Sequence, residues 1–159
     1  RIAHLAGNEH LSVTKERMQG YQNALLAYDI PLNENLVMYV GVQQERAKIG
    51  VDYLMSLKEK PDAIFAINDP VAVGCILELK KRGIRIPEDI AVAGFSESPI
   101  GRMMELTSVF QPTFEIGRKA AGLLLKQIKD FDAPAETIIL DAKLNIRNST
   151  LPLSKKMKR

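Results

Sequence analysis

The chain has 159 residues, of which 46% are hydrophobic and 26% are charged, values close to the averages for globular proteins. This length corresponds to one domain or two small lobes, and the composition excludes a disordered chain. The single cysteine, Cys75, excludes an intrachain disulfide framework and indicates a reducing compartment. We expect no membrane association, because no apolar run approaches the ~20 residues that span a bilayer.

The net charge of +3 comes from the C-terminal end of the sequence. Residues 155–159 hold four of the 22 basic residues, so the remainder of the chain has 18 basic and 19 acidic residues. A cluster of this kind is typical of a solvated terminus, and we expect a basic disordered tail over residues 151–159. The body of the chain therefore lacks the charge of a nucleic-acid-binding surface.

In the first part of the chain, short apolar runs alternate with longer amphipathic stretches, which predicts alternating strands and helices. The predicted strands are residues 2–6, 36–40, 63–67 and 90–95, and the predicted helices are residues 12–28, 43–57 and 70–81. Strands that are apolar on both faces predict a buried parallel sheet. We therefore expect a doubly wound α/β core over residues 1–95. Because Arg1 runs directly into the first strand, we also expect a piece of a longer protein.

Several residues carry local signals for these helices. Ser12 or Thr14 is expected to cap the first helix, and Asp69 is expected to cap the third, with Pro70 at its first position. Gly20 lies within the first helix and costs about 1 kcal/mol relative to alanine. Close packing of this helix on the sheet would offset that cost.

The pattern changes after the fourth predicted strand. Residues 96–107 lack clear periodicity, residues 107–111 predict a short strand, and Pro112 ends it. Thr113 is then expected to cap a helix that runs to about residue 129. The apolar face of this helix comprises Ile116, Ala120, Leu123, Leu124 and Ile128. Alternating apolar and polar residues over 138–147 predict a half-exposed strand at a sheet edge.

Polar residues follow the predicted strands where they end, and ligands bind at the carboxyl ends of strands in an open parallel sheet. The residues expected at this edge are Arg17, Asn68, Asp69, Ser96 and Glu97. Arginine, amide and carboxylate groups around one cleft suit a sugar-like ligand, whose hydroxyls both donate and accept hydrogen bonds. Simpler roles remain open for two of them: Arg17 can pair with Glu16 or Asp69 at the surface, and Asp69 can serve only as a helix cap.

The motifs of common enzyme classes are missing from the sequence. It contains neither G-x-G-x-x-G nor G-x-x-x-x-G-K-[ST] for nucleotide phosphates, and no G-x-S-x-G elbow of a hydrolase. His4 lies within a predicted strand and His10 in a loop, without partners at metal-binding spacing. Cys75 lies on an apolar helix face and is expected to be inert. We therefore expect no catalytic residue, no metal and no cofactor.

Five motifs in order carry a family resemblance. They are RMQGY (residues 17–21), AINDPVA (66–72), IPEDIAVAGF (86–95), LTSVFQP (106–112) and RNST (147–150). Over about residues 1–150 the chain resembles the C-terminal part of the lactose-repressor (LacI/GalR) family of bacterial transcription regulators. The resemblance implies a periplasmic-binding-protein-like fold of type I, in which two α/β lobes joined by three crossovers hold an effector between them.

The resemblance also implies how the chain divides between the lobes. Residues 1–107 would form the C-terminal lobe, residues 108–134 would supply a crossover strand and helix to the other lobe, and residues 135–150 would return as a strand. Most of the second lobe is absent from this chain. We expect the apolar face of the helix over 113–129 to pack on a second copy of the chain, the alternative being the first lobe.

By position, Arg17 matches the effector-binding arginine of the family, and Asn68 matches its effector-binding asparagine, followed by Asp69. Where the family often has an aspartate that grips sugar hydroxyls, this chain has Ser96, with Glu97 next. The implied function is effector sensing in a cytoplasmic, homodimeric regulator. Operator DNA would be bound by an N-terminal helix-turn-helix head that this chain does not include, and not by the chain itself.

Two other functions compete with the regulator interpretation. A solute-binding protein of an import system shares this fold, but the unpaired Cys75 and the closing motif at residues 147–150 favour the regulator. A sugar-modifying enzyme needs a nucleophile or an acid–base pair, and the sequence supplies neither.

Overall fold

Strands and helices alternate along residues 1–151, the part of the chain described by this computed structural model. The strands are β1 (Ile2–Ala6), β2 (Val37–Tyr39), β3 (Ala63–Ala66), β4 (Ala91–Ser96), β5 (Thr107–Phe110) and β6 (Lys143–Asn145). The α-helices are α1 (Ser12–Ala27), α2 (Ala47–Ser56), α3 (Asp69–Lys81), α4 (Pro99–Met103) and α5 (Thr113–Lys129). Within the described residues, no helix has the length and apolar character needed to cross a membrane. Of the tail predicted for residues 151–159, only Leu151 is described.

The six strands form one sheet in the order β2-β1-β3-β4-β5-β6. The first five strands are parallel, and β6 runs antiparallel to β5 at the edge. The doubly wound parallel sheet predicted for residues 1–95 is therefore confirmed. Because parallel strands end on the same side, the residues that follow β1, β3, β4 and β5 share one edge of the sheet.

Neighbouring residues of β1 show that helices cover both faces of the sheet. His4 contacts Tyr21 of α1, whereas Leu5 points to the opposite face and packs on Gly50 of α2. A Cβ atom at Gly50 would lie 2.6 Å from a methyl carbon of Leu5, so only glycine allows α2 to approach this closely. Fully burying a side chain such as Leu5 stabilises the fold by about 1.5–3 kcal/mol.

The main apolar core lies between the sheet and the helices α2 and α3. Its largest fully buried members are Leu5, Leu54, Ile64, Ile67, Ile76, Leu79 and Leu106. Cys75 is also buried here, and burial raises the pKa of its thiol to about 12. This thiol is therefore protonated at neutral pH, as expected for a core residue.

The helix caps differ from the sequence predictions. Asn68 caps α3, because its side chain accepts a hydrogen bond from the backbone N–H of Val71 at 2.9 Å. Asp69 is already the first helical residue, so its predicted role as the cap is wrong. Asn68 has the extended backbone (φ −153°) that a cap requires, and the Asp69 carboxylate has other partners described below.

Two further caps and one packing prediction are also wrong. Leu11 precedes α1 and Pro112 precedes α5, and neither helix has a side-chain cap, so Ser12, Thr14 and Thr113 do not cap them. Gly20 does not pack on the sheet, since an added Cβ would meet no atom within 4 Å. Helix α1 instead buries Tyr21 and Leu25.

Helix α5 lies apart from the core. None of its residues is buried, and Leu124 and Ile128 are 61% and 69% exposed. Leu123 is half-buried, beside Ile116 and Leu140 in a shallow groove. The apolar face of α5 therefore does not pack against residues 1–95, and its assignment to another lobe stays a prediction.

The last predicted strand is shorter than expected. Alternation predicted residues 138–147, whereas β6 comprises only Lys143–Asn145. These three residues pair with Ser108–Phe110. Because β5 ends at Phe110, the residues before Lys143 have no strand edge to pair with, whatever their sequence pattern.

Candidate ligand-binding site

Arg17 joins the ends of two neighbouring strands. From α1 its Nη1 donates a hydrogen bond to the backbone carbonyl of Ile67, directly after β3. Its guanidinium carbon lies 3.9 Å from the ring centroid of Phe95 near the end of β4, a cation–π contact. The side chain thus lies where ligands bind in parallel sheets.

The charge of Arg17 has no carboxylate partner within residues 1–151. The surface pairing with Glu16 or Asp69 is wrong, since no salt bridge joins Arg17 to either residue. Partial burial lowers the pKa of the Arg17 guanidinium, and the nearby charge of Glu16 opposes this. An arginine nevertheless stays protonated in proteins, so a half-buried cation with spare N–H donors remains at the strand ends.

A groove of about 580 Å³ opens between α1 and the sheet beside Arg17, and we refer to it as the Arg17 groove. The rings of Tyr21, Phe65 and Phe95 form much of its lining. Its polar side chains are Glu16, Arg17 and Gln111. Gly20 also lines this groove, and its lack of a side chain widens the groove at that position. An apolar cavity with a few convergent polar groups is typical of a small-molecule site.

The buried ring of His4 supports two of the aromatic residues of the groove. It stacks on Phe65 with ring centroids 4.7 Å apart and lies 5.2 Å from the Tyr21 ring. Its Nδ1 is 2.9 Å from the carbonyl oxygen of Phe65. Burial lowers the pKa of His4 to about 4, so the ring is neutral at pH 7 and donates this hydrogen bond. These contacts give His4 a structural role.

Both ends of the Asn68 side chain have backbone partners. Its Oδ1 caps α3 at Val71, and its Nδ2 donates to the carbonyl of Val42 at 2.9 Å. Asn68 is half-buried at the expected edge of the sheet and ties the loop after β2 to the start of α3. Effector binding by Asn68 stays a prediction.

The carboxylate of Asp69 faces the interior. The residue is fully buried, and its Oδ1 accepts a hydrogen bond from the hydroxyl of Ser108 at 2.5 Å. Its Oδ2 accepts one from the backbone N–H of Ser98, also at 2.5 Å. Asp69 therefore connects α3 to β5 and to the turn after β4.

The turn after β4 has an unusual backbone. Ser96 and Glu97 have φ values of +118° and +54°, a region that costs residues other than glycine roughly 1–3 kcal/mol each. The Glu97 N–H donates to the Ser108 hydroxyl at 3.1 Å, and the Glu97 carboxylate forms an ion pair with Arg147. The Ser96 hydroxyl has no hydrogen-bond partner within residues 1–151.

Ser149, in the motif at residues 147–150, contacts two strands of the sheet. The Ser149 hydroxyl donates to the Val92 carbonyl at 2.6 Å and accepts from the Thr107 N–H at 2.7 Å. This buried hydroxyl therefore bridges β4 and β5. The closing motif thus fixes the end of the described chain to the sheet.

The structure places the five predicted site residues at one edge of the sheet, but only Arg17 lines the groove. Sequence reasoning missed the other residues of the groove, among them Phe95 and Gln111 at the strand ends. Asn68 was selected because ligands bind at the carboxyl ends of parallel strands, and we refer to this as the strand-end rule. Gln111 directly follows β5, so the same rule would also have selected it. Phe95 lies within an apolar strand, where its sequence context gives no signal for ligand contact.

Within residues 1–151, no cluster of histidine, cysteine and carboxylate side chains is arranged to hold a metal ion. The groups that converge at the groove are donors and acceptors of hydrogen bonds. They can bind and orient a polar ligand.

Comparison with known proteins identifies the family. The sequence profile of the periplasmic-binding-protein-like domain matches residues 1–150. The chain belongs to this family. Within this family, the chain groups with the LacI regulators.

Two curated relatives illustrate the likeness. The chain is 36% identical to the HTH-type transcriptional repressor PurR of Vibrio atlanticus, over 83% of the chain and 40% of that protein. It is 30% identical to the ribose operon repressor of Haemophilus influenzae, over 96% of the chain and 47% of that protein. The chain thus spans less than half the length of these relatives.

Solved structures agree with the sequence comparison. The chain superposes on the transcriptional regulator CelR in its cellobiose complex with a TM-score of 0.89 and 33% identity. This match covers 94% of the chain and 46% of CelR. For the transcription regulator CcpA of Lactococcus lactis the TM-score is 0.85 at 32% identity, over 94% of the chain and 55% of CcpA. These relatives are regulators, so the regulator interpretation is supported and the import-protein alternative is not.

Proposed function

We propose that this chain is the effector-sensing part of a LacI-type transcriptional regulator, and that its effector binds where Arg17, Phe95 and Gln111 meet. We refer to this end of the Arg17 groove as the mouth. The observation that carries the proposal is the placement of Arg17, a half-buried cation over the Phe95 ring at the carboxyl ends of β3 and β4. Fixed donors above an aromatic ring suit a small polar ligand.

The chemistry of the mouth favours a sugar-like ligand. Arg17 donates hydrogen bonds, Gln111 both donates and accepts, and Ser96 adds a hydroxyl at the same edge of the sheet. Neighbouring ligand hydroxyls would find matching groups among these three side chains. The names of two relatives agree with this class, since one is a ribose operon repressor and the other was solved with cellobiose.

In this proposal the remaining predicted residues do not contact the ligand but support the residues that do. Asn68, Asp69 and Glu97 use their polar groups within the protein, where they hold loops at this edge of the sheet. This division of roles is common in binding sites, because side chains that touch a ligand need support from hydrogen-bonded neighbours.

The effector would act by changing the relation between two lobes. In this proposal residues 1–107 form one lobe, residues 108–134 cross to the other, and residues 135–150 return. The lack of buried residues in α5 supports this division. A ligand that binds the closed state of the lobes more tightly shifts the population towards it. In a cytoplasmic homodimer, closure would reposition two helix-turn-helix heads, which lie outside these residues, on operator DNA.

The proposal is tested by calorimetric titration of the full-length protein with D-ribose, cellobiose and other sugars. Arg17→Ala should lower the affinity for the sugar that binds by roughly 10- to 100-fold, the loss expected for charge-assisted hydrogen bonds. Arg85→Ala is the matched control, because Arg85 is exposed and pairs with Asp89 away from the groove. Unchanged affinity in the Arg17 variant, or no binding of any sugar by the wild type, would contradict the proposal.

A further inference from the structure

An ion pair joins Glu97, at the ligand edge of the sheet, to Arg147 in the segment that follows β6. The Glu97 side chain is 6% exposed and the Arg147 side chain 19%. Arg147 also donates through Nη1 to the carbonyl of Leu106 at 2.9 Å. Because the desolvation of two buried charges offsets much of their attraction, such a pair is weak evidence for stability alone.

The Glu97–Arg147 ion pair holds the turn that lies beside the mouth. Ser96 and Glu97 both have positive φ, so this turn keeps its shape only through outside contacts. Asp69 and Ser108 supply two of those contacts from within the lobe, through the N–H groups of Ser98 and Glu97. The contact from Arg147 comes from residues 135–150, which we refer to as the returning segment. Phe95, which lies under Arg17, directly precedes this turn.

We propose that Glu97 and Arg147 form a positioning pair for the mouth, which couples the returning segment to ligand affinity. This inference rests on the proposed function, because it takes the mouth as the effector site. The chain reaches Arg147 only after α5 and β6, elements that lie outside the main core. The Thr107 hydroxyl accepts from the Arg147 N–H at 2.8 Å and donates to its carbonyl at 3.0 Å, so Arg147 is also tied to the start of β5. A displacement of the segment after β6 together with this end of β5 would therefore reach Glu97 and shift Phe95 and Ser96.

A first experiment needs no ligand. Hydrogen exchange of the full-length protein is compared for the wild type, Glu97→Gln, Arg147→Gln and the double variant. Each single variant should speed exchange about tenfold both in the turn over residues 96–101 and in residues 145–150, consistent with loss of a charge-assisted contact. The double variant should match the singles, and peptides from β1 and β3 should be unchanged. Asp89→Asn, which breaks an exposed ion pair, is the control.

A uniform increase across the sheet would overturn the inference, because it would show that the pair only stabilises the fold. An unchanged turn in Arg147→Gln would overturn it as well. The two segments must respond to either substitution, since a positioning pair transmits displacement in both directions.

A second experiment measures affinity for D-ribose and cellobiose in the full-length protein. Glu97→Gln and Arg147→Gln should each lower the affinity for the sugar that binds by about tenfold. Arg147→Lys, which keeps the charge, should lower this affinity by less. If neither of these sugars binds, the sugar of the wider panel that binds the wild type takes their place. If no sugar of the panel binds, the proposed function fails, and the exchange experiment alone decides on the pair. Loosened turns with unchanged sugar affinity would overturn the coupling while leaving the proposed function intact.

Discussion

The buried ring of His4 makes the fold sensitive to acid. Its pKa is about 4 in the folded state and 6.5 in the unfolded chain, so below pH 6.5 the unfolded state binds the extra proton. Stability should therefore decrease as the pH falls from 6.5 to 4, by about 3 kcal/mol in total. Urea unfolding of the wild type and of His4→Gln between pH 7 and pH 4 measures this contribution.

His10→Gln is the matched control for this titration, because His10 is an exposed loop residue. It should retain the pH dependence of the wild type, whereas His4→Gln should lose most of it. A His4 variant with the same slope as the wild type would assign the acid sensitivity to other groups.

A second prediction at this scale concerns the hydroxyl of Ser149. Ser149→Ala would leave the Val92 carbonyl and the Thr107 N–H without their shared partner inside the protein. An unsatisfied buried group costs about 1–3 kcal/mol, and we expect the free energy of unfolding to fall by about 2 kcal/mol or more. Ser12→Ala, on the exposed side of α1, should change it by less than about 0.5 kcal/mol. Equal stability of the two variants would contradict the bridging role.

Single residues also show where sequence reasoning stops. The strand-end rule located the edge and selected Arg17, because strand boundaries follow from local periodicity. Whether a polar side chain at this edge faces the groove or the interior depends on partners distant in the sequence. Asp69 is turned inward by Ser108, and Glu97 by Arg147.

At the scale of whole elements, α5 carries the clearest prediction. Most of its apolar face is exposed within residues 1–151, and leaving several leucine and isoleucine side chains in water is unfavourable. The 159-residue chain on its own should therefore self-associate through this face. Sedimentation should show oligomers for the wild type and mostly monomers for the double variant Leu124→Glu, Ile128→Glu.

Leu26→Glu supplies the control for sedimentation, because Leu26 is 76% exposed on α1 and belongs to a different surface. It should sediment like the wild type. A monomeric wild-type chain with a structured α5 would contradict association through this helix.

The elements of the first half could be predicted because each has a strong local pattern. Every predicted strand and helix up to residue 95 is present, although residues 44–46 form a 3-10 turn ahead of α2. The last strand could not be placed from alternation alone. Its length is set by the end of β5 at Phe110, a tertiary limit that the residues from 138 onward do not encode locally.

For the molecule as a whole, we predict ligand binding without turnover. The relatives are transcriptional regulators, and the polar groups of the groove include no nucleophile paired with a base. Incubation of the full-length protein with a panel of sugars and sugar phosphates should leave every compound unchanged. A turnover that disappears on substitution of Asp69 or Glu97 would overturn this prediction.

The central claim is that ligand binding at Arg17 controls DNA binding elsewhere in the protein. The most direct test measures the affinity of the full-length protein for an operator selected from random DNA, with and without its sugar. In the wild type the sugar should change this affinity by roughly 5- to 150-fold, the usual range for coupled sites. Arg17→Ala should bind the operator as tightly as the wild type without sugar and lose the response. A variant that responds to the same sugar concentrations as the wild type would contradict the account.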